Sequence, residues 1–298
     1  MSSTSLIHDG LSKLLLISPT RYYRTMFDQL IHRWLRVPYK LYVHDFQTPK
    51  QPRATVVLIH GIGSLSAMWQ RVVGRRRIDK TTRVLAVDLL GFGNSPRPHW
   101  KTYDVKTQVD SLVATLAQQK VDGRIILVGH SLGALVAAHA ARYYPSLIDS
   151  LILCSPPLYH QQGKDRLAER QLRSLYQKII DKPALGKVIA SDFAKKYKLF
   201  NPGFLVDESN LPIFLDTLDA AIINQKALTE IAELTMPVEI FYGQFDPVII
   251  NKNLRKLAKQ KHIAVTKMLA SHEIDRRYGQ FVVQAINRHV TGDDYGQA

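Results

Sequence analysis

This chain of 298 residues has almost no cysteine and no long apolar run. Its one cysteine, Cys154, excludes an intrachain disulfide and fits a reducing compartment. No uncharged apolar stretch approaches the roughly 20 residues that a membrane-spanning helix needs. The apolar stretch at 14–18 is too short for a secretory signal. These absences favour a soluble, cytoplasmic protein.

Acidic residues are scarce relative to basic ones: 25 Asp and Glu stand against 40 Lys and Arg, for a formal net charge of +15. The positive charge is spread along the chain, with one cluster of arginines at 75–77. Nucleic-acid-binding proteins usually carry a basic stripe interleaved with aromatic side chains on one element, and none is present. The excess therefore predicts a general preference for anionic surfaces and no nucleic-acid partner.

Short apolar runs alternate with helical patterns along most of the chain. Seven runs have the composition of strands: 39–46, 54–60, 83–89, 124–130, 149–155, 237–243 and 264–269. Helical stretches lie between them at 66–74, 104–120, 132–143, 251–260 and 278–290. Continuous apolar strands with helical crossovers indicate an α/β fold, in which a mostly parallel central sheet is covered by helices on both faces.

One stretch, 157–236, interrupts this alternation with several helical patterns, the last of them at 211–234, and no good strand. Such an insertion must lie outside the sheet, and we expect it over the carboxyl ends of the strands, where ligands bind. Its apolar residues are expected to form a cap core and in part an acyl pocket: Leu158, Tyr159, Phe193, Tyr197, Phe200, Phe204, Phe214 and Leu218. The predicted domains are an N-terminal extension (1–38), an α/β core (39–156 and 237–298) and a helical cap (157–236).

The pentapeptide Gly129-His130-Ser131-Leu132-Gly133 joins a predicted strand directly to a predicted helix. So abrupt a turn strains the backbone of its central residue and exposes that side chain above the sheet edge. The free N–H groups of the following helix point to the same place. The pattern predicts that Ser131 is a nucleophile, although G-x-S-x-G alone is a weak signal.

Four further motifs accompany this pentapeptide. They are HGIG (60–63), DLLGFGNS (88–95), YGQFDP (242–247) and SHEI (271–274). The last two place Asp246 and His272 just after predicted strands. In this order the motifs resemble those of the α/β-hydrolase fold superfamily, specifically the serine hydrolases with a helical cap, over roughly residues 39–290.

The residue types then indicate a mechanism. A serine hydroxyl is a poor nucleophile, so we expect His272 to take the proton of Ser131 and Asp246 to orient the imidazole. The backbone N–H groups of Leu132 and Ile62 are expected to bind the oxyanion.

Other titratable residues near the motifs are expected to be structural. His60, His130 and His139 are assigned to loop support or packing, and the resemblance implies that Asp88 supports its loop. His262 is a second, weaker choice for the base. No metal is predicted, because neither an H-E-x-x-H motif nor a cysteine cluster is present, and no cofactor is predicted.

The predicted activity is hydrolysis of carboxylic esters with small or medium apolar acyl groups through an acyl-enzyme intermediate. Epoxide hydrolases and haloalkane dehalogenases of this fold use aspartate at the turn that Ser131 occupies here, so the serine argues against both activities. Carbon–carbon bond hydrolases, amidases, thioesterases and acyltransferases stay open on the same triad. An alternative of another class is a catalytically idle hydrolase fold that binds a small molecule or a protein.

The segment 21–37 carries apolar residues at helical spacing, with arginines largely on or beside the other face. Three fates are open for this amphipathic helix: packing on the hydrolase domain, contact with a second subunit as in a homodimer, or peripheral contact with a membrane. Packing on the domain is the commoner fate for a helix joined by so short a link.

Overall fold

The computed structural model describes residues 27–74, 78–121, 123–160, 210–274 and 276–292. The chain divides into two units, residues 1–39 and residues 40–298. In the described part, no helix is long and apolar enough to cross a membrane.

The first unit contains, in its described part, a short π-helical segment, Gln29–Trp34. It lies within the amphipathic helix predicted for 21–37, and none of its residues is buried. The hydroxyl of Tyr39 donates a hydrogen bond to Asp28 over 2.8 Å, and its ring stacks on His32 with 3.7 Å between centroids. These contacts fold the end of the unit back onto its helix.

The second unit is built on a seven-stranded sheet. The strands are β1 (Tyr42–Gln47), β2 (Ala54–Ile59), β3 (Thr82–Asp88), β4 (Arg124–His130), β5 (Ser150–Cys154), β6 (Val238–Gly243) and β7 (Ile263–Met268). Their order is β1-β3-β2-β4-β5-β6-β7; β1 is antiparallel to β3 and every other pair is parallel. The α/β prediction and all seven predicted strands are confirmed.

Helices connect the strands. They are α1 (Gln70–Val73), α2 (Val105–Gln118), α3 (Leu132–Tyr143), α4 (Leu211–Thr217), α5 (Ala227–Ala232), α6 (Asn251–Leu257) and α7 (Arg276–Thr291). A 3₁₀ turn, Ser66–Trp69, precedes α1. The helices predicted between the strands are confirmed, with ends that shift by a few residues.

The central strands are buried on both faces, as their continuous apolar runs predict. Successive side chains of a strand point to opposite faces. On β2, Ala54, Val56 and Leu58 therefore pack in one cluster with Trp69 and with Tyr278 of α7. Helix α3 packs against β4 and β5 but contributes no residue to that cluster, so it covers the other face.

The described part of the insertion differs from the prediction in one respect. The sequence predicts one helical stretch over 211–234, but the structure interrupts it after the π-helical segment Leu218–Ile223. The amide of Gln225 explains the break: it donates to the carbonyl oxygen of Pro157 and accepts from the N–H of Ala227, each over 2.8 Å. The backbone there leaves the helical path to make these bonds.

The rest of the predicted cap, residues 161–209, lies outside the described residues. Among the residues expected in its core, four are buried: Leu158, Tyr159, Phe214 and Leu218. The others, Phe193, Tyr197, Phe200 and Phe204, lie outside the described residues.

Candidate active site

Ser131 occupies a strained turn between β4 and α3, with φ 52° and ψ −115°. A non-glycine residue held in such a conformation costs about 1–3 kcal/mol. A Cβ at Gly129 would overlap the backbone of Gly133, and one at Gly133 would overlap the carbonyl oxygen of Ile59. The N–H of Ser131 donates to the carbonyl oxygen of Cys154 over 2.9 Å, which fixes the turn to β5. Positions 129 and 133 therefore require glycine, because neighbouring backbone atoms lie too close for a Cβ.

Asp246 and His272 lie at the carboxyl ends of β6 and β7 and meet beside this turn. Asp246 Oδ2 lies 2.8 Å from His272 Nδ1, and the exposed fractions of the two side chains are 0% and 2%. Asp246 Oδ1 accepts a hydrogen bond from the N–H of Val248 over 2.9 Å. Both carboxylate oxygens are thus occupied, and the Nδ1 bond leaves Nε2 of His272 as the nitrogen free to exchange a proton.

Opposing effects act on the pKa of His272. Burial lowers the pKa of the imidazole, but the charge of Asp246 and its hydrogen bond to Nδ1 outweigh burial, so that the pKa is raised above its ordinary value of 6.5. The charge of Glu273 adds to this increase. The ring therefore gains a proton readily while remaining enclosed by the protein.

The loop after β2 touches Ser131. A Cβ at Gly61 would lie 3.1 Å from Cβ of Ser131, so the loop and the serine are in direct contact. The N–H of Ser64 bonds to the carbonyl oxygen of Gly61 over 3.2 Å, closing a turn at residues 61–64. Within the described residues, the N–H groups of Ile62 and Leu132 have no hydrogen-bond acceptor in the protein. These are the two groups that the sequence predicts for an oxyanion.

Two buried side chains hold this loop, as expected. His60 Nε2 accepts from the N–H of Leu89 over 2.9 Å, and His60 Nδ1 donates to the carbonyl oxygen of Gly61 over 2.7 Å. Asp88 accepts from the N–H of Ser66 over 2.6 Å. Both residues therefore support loops, and burial lowers the pKa of His60.

The remaining histidines from the sequence analysis fall in different places. His139 of α3 pairs with Glu230 of α5 over 2.7 Å. His262 precedes β7, at the end of the strand opposite to His272, which removes it as the base. Across the described ranges, no group of three or more His, Cys, Asp or Glu side chains is placed to hold a metal ion.

The structure gives His130 a contact that the sequence did not predict. The sequence assigns it to packing, but its Nε2 donates to the backbone carbonyl oxygen of His272 over 2.9 Å. The ring centroids of the two histidines are 5.1 Å apart. The partners are 142 residues apart in the chain, so no local pattern could reveal the bond.

Ser131 Oγ makes no hydrogen bond to His272 or to any other described residue. Bonds of this kind are often long in a free enzyme and tighten only when substrate is bound. The ring of His272 nevertheless stands next to the residue that precedes the serine.

The family model described as serine aminopeptidase, S33, matches residues 50–272, a range that includes Ser131, Asp246 and His272. The chain belongs to this family. It therefore has the α/β-hydrolase fold, as the motifs predicted.

Two curated relatives illustrate the similarity. The probable lysophospholipase BODYGUARD 4 of Arabidopsis thaliana is 32% identical over 124 residues, which cover 42% of this chain and 30% of that protein. This chain spans less than a third of the length of the Arabidopsis relatives that it matches. The pimeloyl-[acyl-carrier protein] methyl ester esterase of Pseudoalteromonas atlantica is 28% identical over 231 residues, covering 72% of this chain and 86% of that enzyme.

Solved structures show the same fold at lower sequence identity. A hydrolase from Oleispira antarctica superposes with a TM-score of 0.68 and 16% identity, covering 86% of this chain and 96% of that one. An esterase from Exiguobacterium antarcticum gives a TM-score of 0.65 at 18% identity, covering 85% of this chain and 96% of that one. These likenesses establish the architecture alone.

Proposed function

We propose that this hydrolase cleaves carboxylic esters of small or medium apolar acyl groups through an acyl-enzyme intermediate. The observation that carries the proposal is the buried bond of 2.8 Å between His272 Nδ1 and Asp246 Oδ2, next to a serine held at φ 52°. A carboxylate that fixes one nitrogen of a histidine leaves the other to act as a base. This is the arrangement that activates a serine hydroxyl.

Acylation would begin with attack of Ser131 Oγ on the ester carbonyl carbon while its proton passes to His272 Nε2. The resulting imidazolium is stabilised by the carboxylate of Asp246. The tetrahedral oxyanion accepts hydrogen bonds from the N–H groups of Ile62 and Leu132. Collapse of the intermediate breaks the bond to the alkoxy group, which leaves as an alcohol with the proton from His272.

Deacylation repeats these steps with water. His272 takes a proton from the water as its oxygen attacks the acyl carbon, and the same N–H groups bind the second oxyanion. The intermediate then releases the carboxylic acid, and the proton on His272 returns to Ser131 Oγ. Neither half-reaction requires a cofactor.

The substrate class rests on two supports. Two relatives have the names of ester hydrolases, a lysophospholipase and a methyl ester esterase. In addition, the described part of the insertion buries apolar side chains, among them Tyr159 and Phe214. An acyl pocket formed by such side chains would favour an apolar acyl group, because the free energy gained by burying that group grows by about 0.8 kcal/mol for each methylene.

A fluorophosphonate probe tests the nucleophile directly, since it phosphonylates an activated serine. We expect rapid labelling of the wild-type protein and none of Ser131→Ala. A matched control is Ser155→Ala, because Ser155 is also buried and also has a positive φ, of 47°. Ser155→Ala should label like the wild type. Labelling that persists in Ser131→Ala, or a wild type that does not label, would refute the proposal.

A substrate panel then tests the bond that is cleaved. p-Nitrophenyl esters of two to sixteen carbons, roughly spanning the small, medium and long acyl groups, are compared with a matched thioester and a matched amide. We expect the highest kcat/KM for an ester of short or medium chain. Faster hydrolysis of the amide would favour an aminopeptidase-type activity, as in the family's description. Labelling without turnover of any compound would favour a binding protein.

A further inference from the structure

We propose that His130 is a positioning residue that holds the main chain of His272 in the active site. The inference rests on the proposed function, in which His272 is the base. It assigns a role in the reaction to the residue that directly precedes the nucleophile. Its basis is the hydrogen bond of 2.9 Å from His130 Nε2 to the carbonyl oxygen of His272.

The topology explains why His272 needs such an anchor. His130 ends β4, whereas His272 follows β7, three strands away in the sheet order. Strands are spaced about 4.8 Å apart, so β4 and β7 lie about 14 Å apart, and the chain after β7 turns back toward β4 across the edge of the sheet. Residues 269–274 make this return without regular secondary structure. A segment of this kind needs fixed points if its side chain is to stay in place.

The early part of the return is held by β6 and the turn that follows it. The N–H of Phe245 donates to the carbonyl oxygen of Ala270 over 3.0 Å. The carbonyl oxygens of Ala270 and Ser271 fill the space that a Cβ at Gly243 would occupy. His130 supplies the contact that reaches residue 272 itself. The base is then held at two points: Asp246 holds its ring and His130 holds its backbone.

The chemistry of His130 fits this single task. The residue is 3% exposed, and burying a polar ring is unfavourable unless it is hydrogen-bonded. Its other nitrogen, Nδ1, has no hydrogen-bond partner in the described part of the chain, so the carbonyl of His272 is the reason for a polar ring here. A carbonyl can only accept, so Nε2 carries the proton.

His130 also adds no charge beside the base. Burial lowers the pKa of His130 to about 3, with the neighbouring charge of His272 acting in the same direction. The ring is therefore neutral over the pH range in which the enzyme would work. The charged groups that face His272 and raise its pKa are Asp246 and Glu273. A neutral donor can position the base without opposing the imidazolium that forms during catalysis.

Two amide substitutions separate positioning from packing. In His130→Gln the terminal NH₂ occupies roughly the place of Nε2 and can still donate to the carbonyl of His272. In His130→Asn the shorter amide matches Nδ1 and cannot reach that oxygen. We expect His130→Asn to lower kcat on the order of 10- to 100-fold with KM within about twofold, because a base displaced by about an ångström loses that much. His130→Gln should stay within about threefold of the wild type.

The pH profile of kcat/KM provides a readout that packing alone would not change. If His272 moves away from Asp246 in His130→Asn, part of the increase in its pKa is lost and the acid limb shifts to lower pH. His130→Gln should keep the wild-type limb. His289→Asn is the control, since His289 is equally buried but lies beside Glu239, near the opposite end of β6. His289→Asn should keep the wild-type kcat and the wild-type acid limb, even where it lowers stability.

The outcomes are distinguishable. Equal losses in the Gln and Asn variants, an unchanged kcat in His130→Asn, or a loss confined to KM would overturn the positioning role while the esterase proposal stands. A wild type without turnover or probe labelling would overturn the proposed function itself. If His130→Asn does not fold, His130→Phe keeps the packing of a ring without the N–H. It should show the same loss of kcat, and wild-type turnover in that variant would overturn the inference.

Discussion

Asp246 and His272 follow different strands, yet a hydrogen bond of 2.8 Å joins them with almost no exposure of either side chain to solvent. Burying either group alone would be costly, because an enclosed charge loses its hydration. Each side chain therefore stabilises the buried position of the other. Water has little access to replace a missing partner, so changes at this pair should have large effects.

Loss of either member should lower turnover severely. We expect His272→Ala to reduce kcat by a factor on the order of 10⁵ or more, and Asp246→Asn by roughly 10⁴, because the aspartate only orients and stabilises the base. Turnover of a p-nitrophenyl ester, with circular dichroism to verify folding, measures both effects. Full activity in Asp246→Asn would point to another carboxylate.

The pH dependence should report the raised pKa of His272. Only the neutral ring can accept the serine proton, so kcat/KM should fall as the pH drops through a value above 6.5. In Asp246→Asn the carboxylate no longer offsets burial, and the acid limb should move to lower pH. The profile is measured with a substrate that does not titrate. An acid limb at the same pH in wild type and Asp246→Asn would mean that a group other than His272 controls the pH dependence.

The contact between Gly61 and Ser131 makes a prediction about the oxyanion loop. In Gly61→Ala the new Cβ would lie 3.1 Å from both Ser131 Cβ and His130 Nδ1, so the loop must shift. We expect kcat to fall by an order of magnitude or more, since loss of one oxyanion donor costs about 3 kcal/mol. Gly292→Ala is the control: Gly292 has φ 80° and directly follows α7, so this variant should lose stability and keep activity. Equal turnover in both variants would contradict the loop assignment.

A partly buried ion pair at the start of β6 should contribute to stability. Arg288 Nη2 lies 2.8 Å from Glu239 Oε2. Burial raises the pKa of Glu239, but His289 and Arg288 more than offset burial and lower it below 4.5. Arg288 is partly exposed, so Arg288→Met should lower the free energy of unfolding by about 1–2 kcal/mol at neutral pH. Loss of a fully buried ion pair would lower it more.

The sign of the pH effect follows from the lowered pKa. A carboxyl group with a lower pKa in the folded state stabilises the fold above its unfolded pKa, and loses this effect as the pH falls through its folded pKa. The difference in the free energy of unfolding between wild type and Arg288→Met should therefore reach its full value near pH 7 and shrink below pH 4.5. Urea unfolding at several pH values measures it. A difference that grows toward acid pH would exclude this explanation.

Membrane contact, one of the three alternatives for the N-terminal helix, makes a testable prediction. Exposed apolar residues cluster there: Phe27, Leu30, Ile31, Trp34, Leu35 and Val37. Arg33 and Arg36 lie among them and are exposed as well. A basic amphipathic segment of this kind binds lipid through apolar burial and charge attraction. If the helix contacts a membrane, the full chain should co-sediment with vesicles of phosphatidylglycerol at low salt, and less at high salt.

The double variant Leu30→Ser, Trp34→Ser should lose this binding. Tyr143→Ser, which removes an exposed aromatic side chain elsewhere, should retain it. Absence of binding, together with an unstable protein when residues 1–37 are deleted, would favour packing on the catalytic domain. A change from dimer to monomer on deletion would favour a subunit contact.

The predictable parts of the fold are those in which local chemistry imposes a pattern. A strand buried on both faces needs a continuous apolar run, and the turn at Ser131 leaves no space for a Cβ at Gly129 or Gly133. Both features were visible in the sequence for that reason. The ends of strands place Asp246 and His272 at one sheet edge, so their proximity also followed from the predicted topology.

The unpredicted parts depend on bonds between distant residues. The helical periodicity of 211–234 continues through the break, which depends on a bond from Gln225 to a carbonyl 68 residues earlier. His130 likewise bonds to a backbone carbonyl, a partner that every residue type offers and that no motif marks. Side chains that bind distant main chain leave no periodic or compositional trace.

Cys154 has a practical consequence for spectroscopy. It is the one thiol of the chain, completely buried in β5, and burial raises its pKa far above that of a free cysteine. Reagents that require a thiolate should therefore not modify the native protein at neutral pH. A cysteine introduced at an exposed position such as Phe245 would be the single reactive thiol, and a fluorophore there would report events beside Asp246 without any need to remove the native residue.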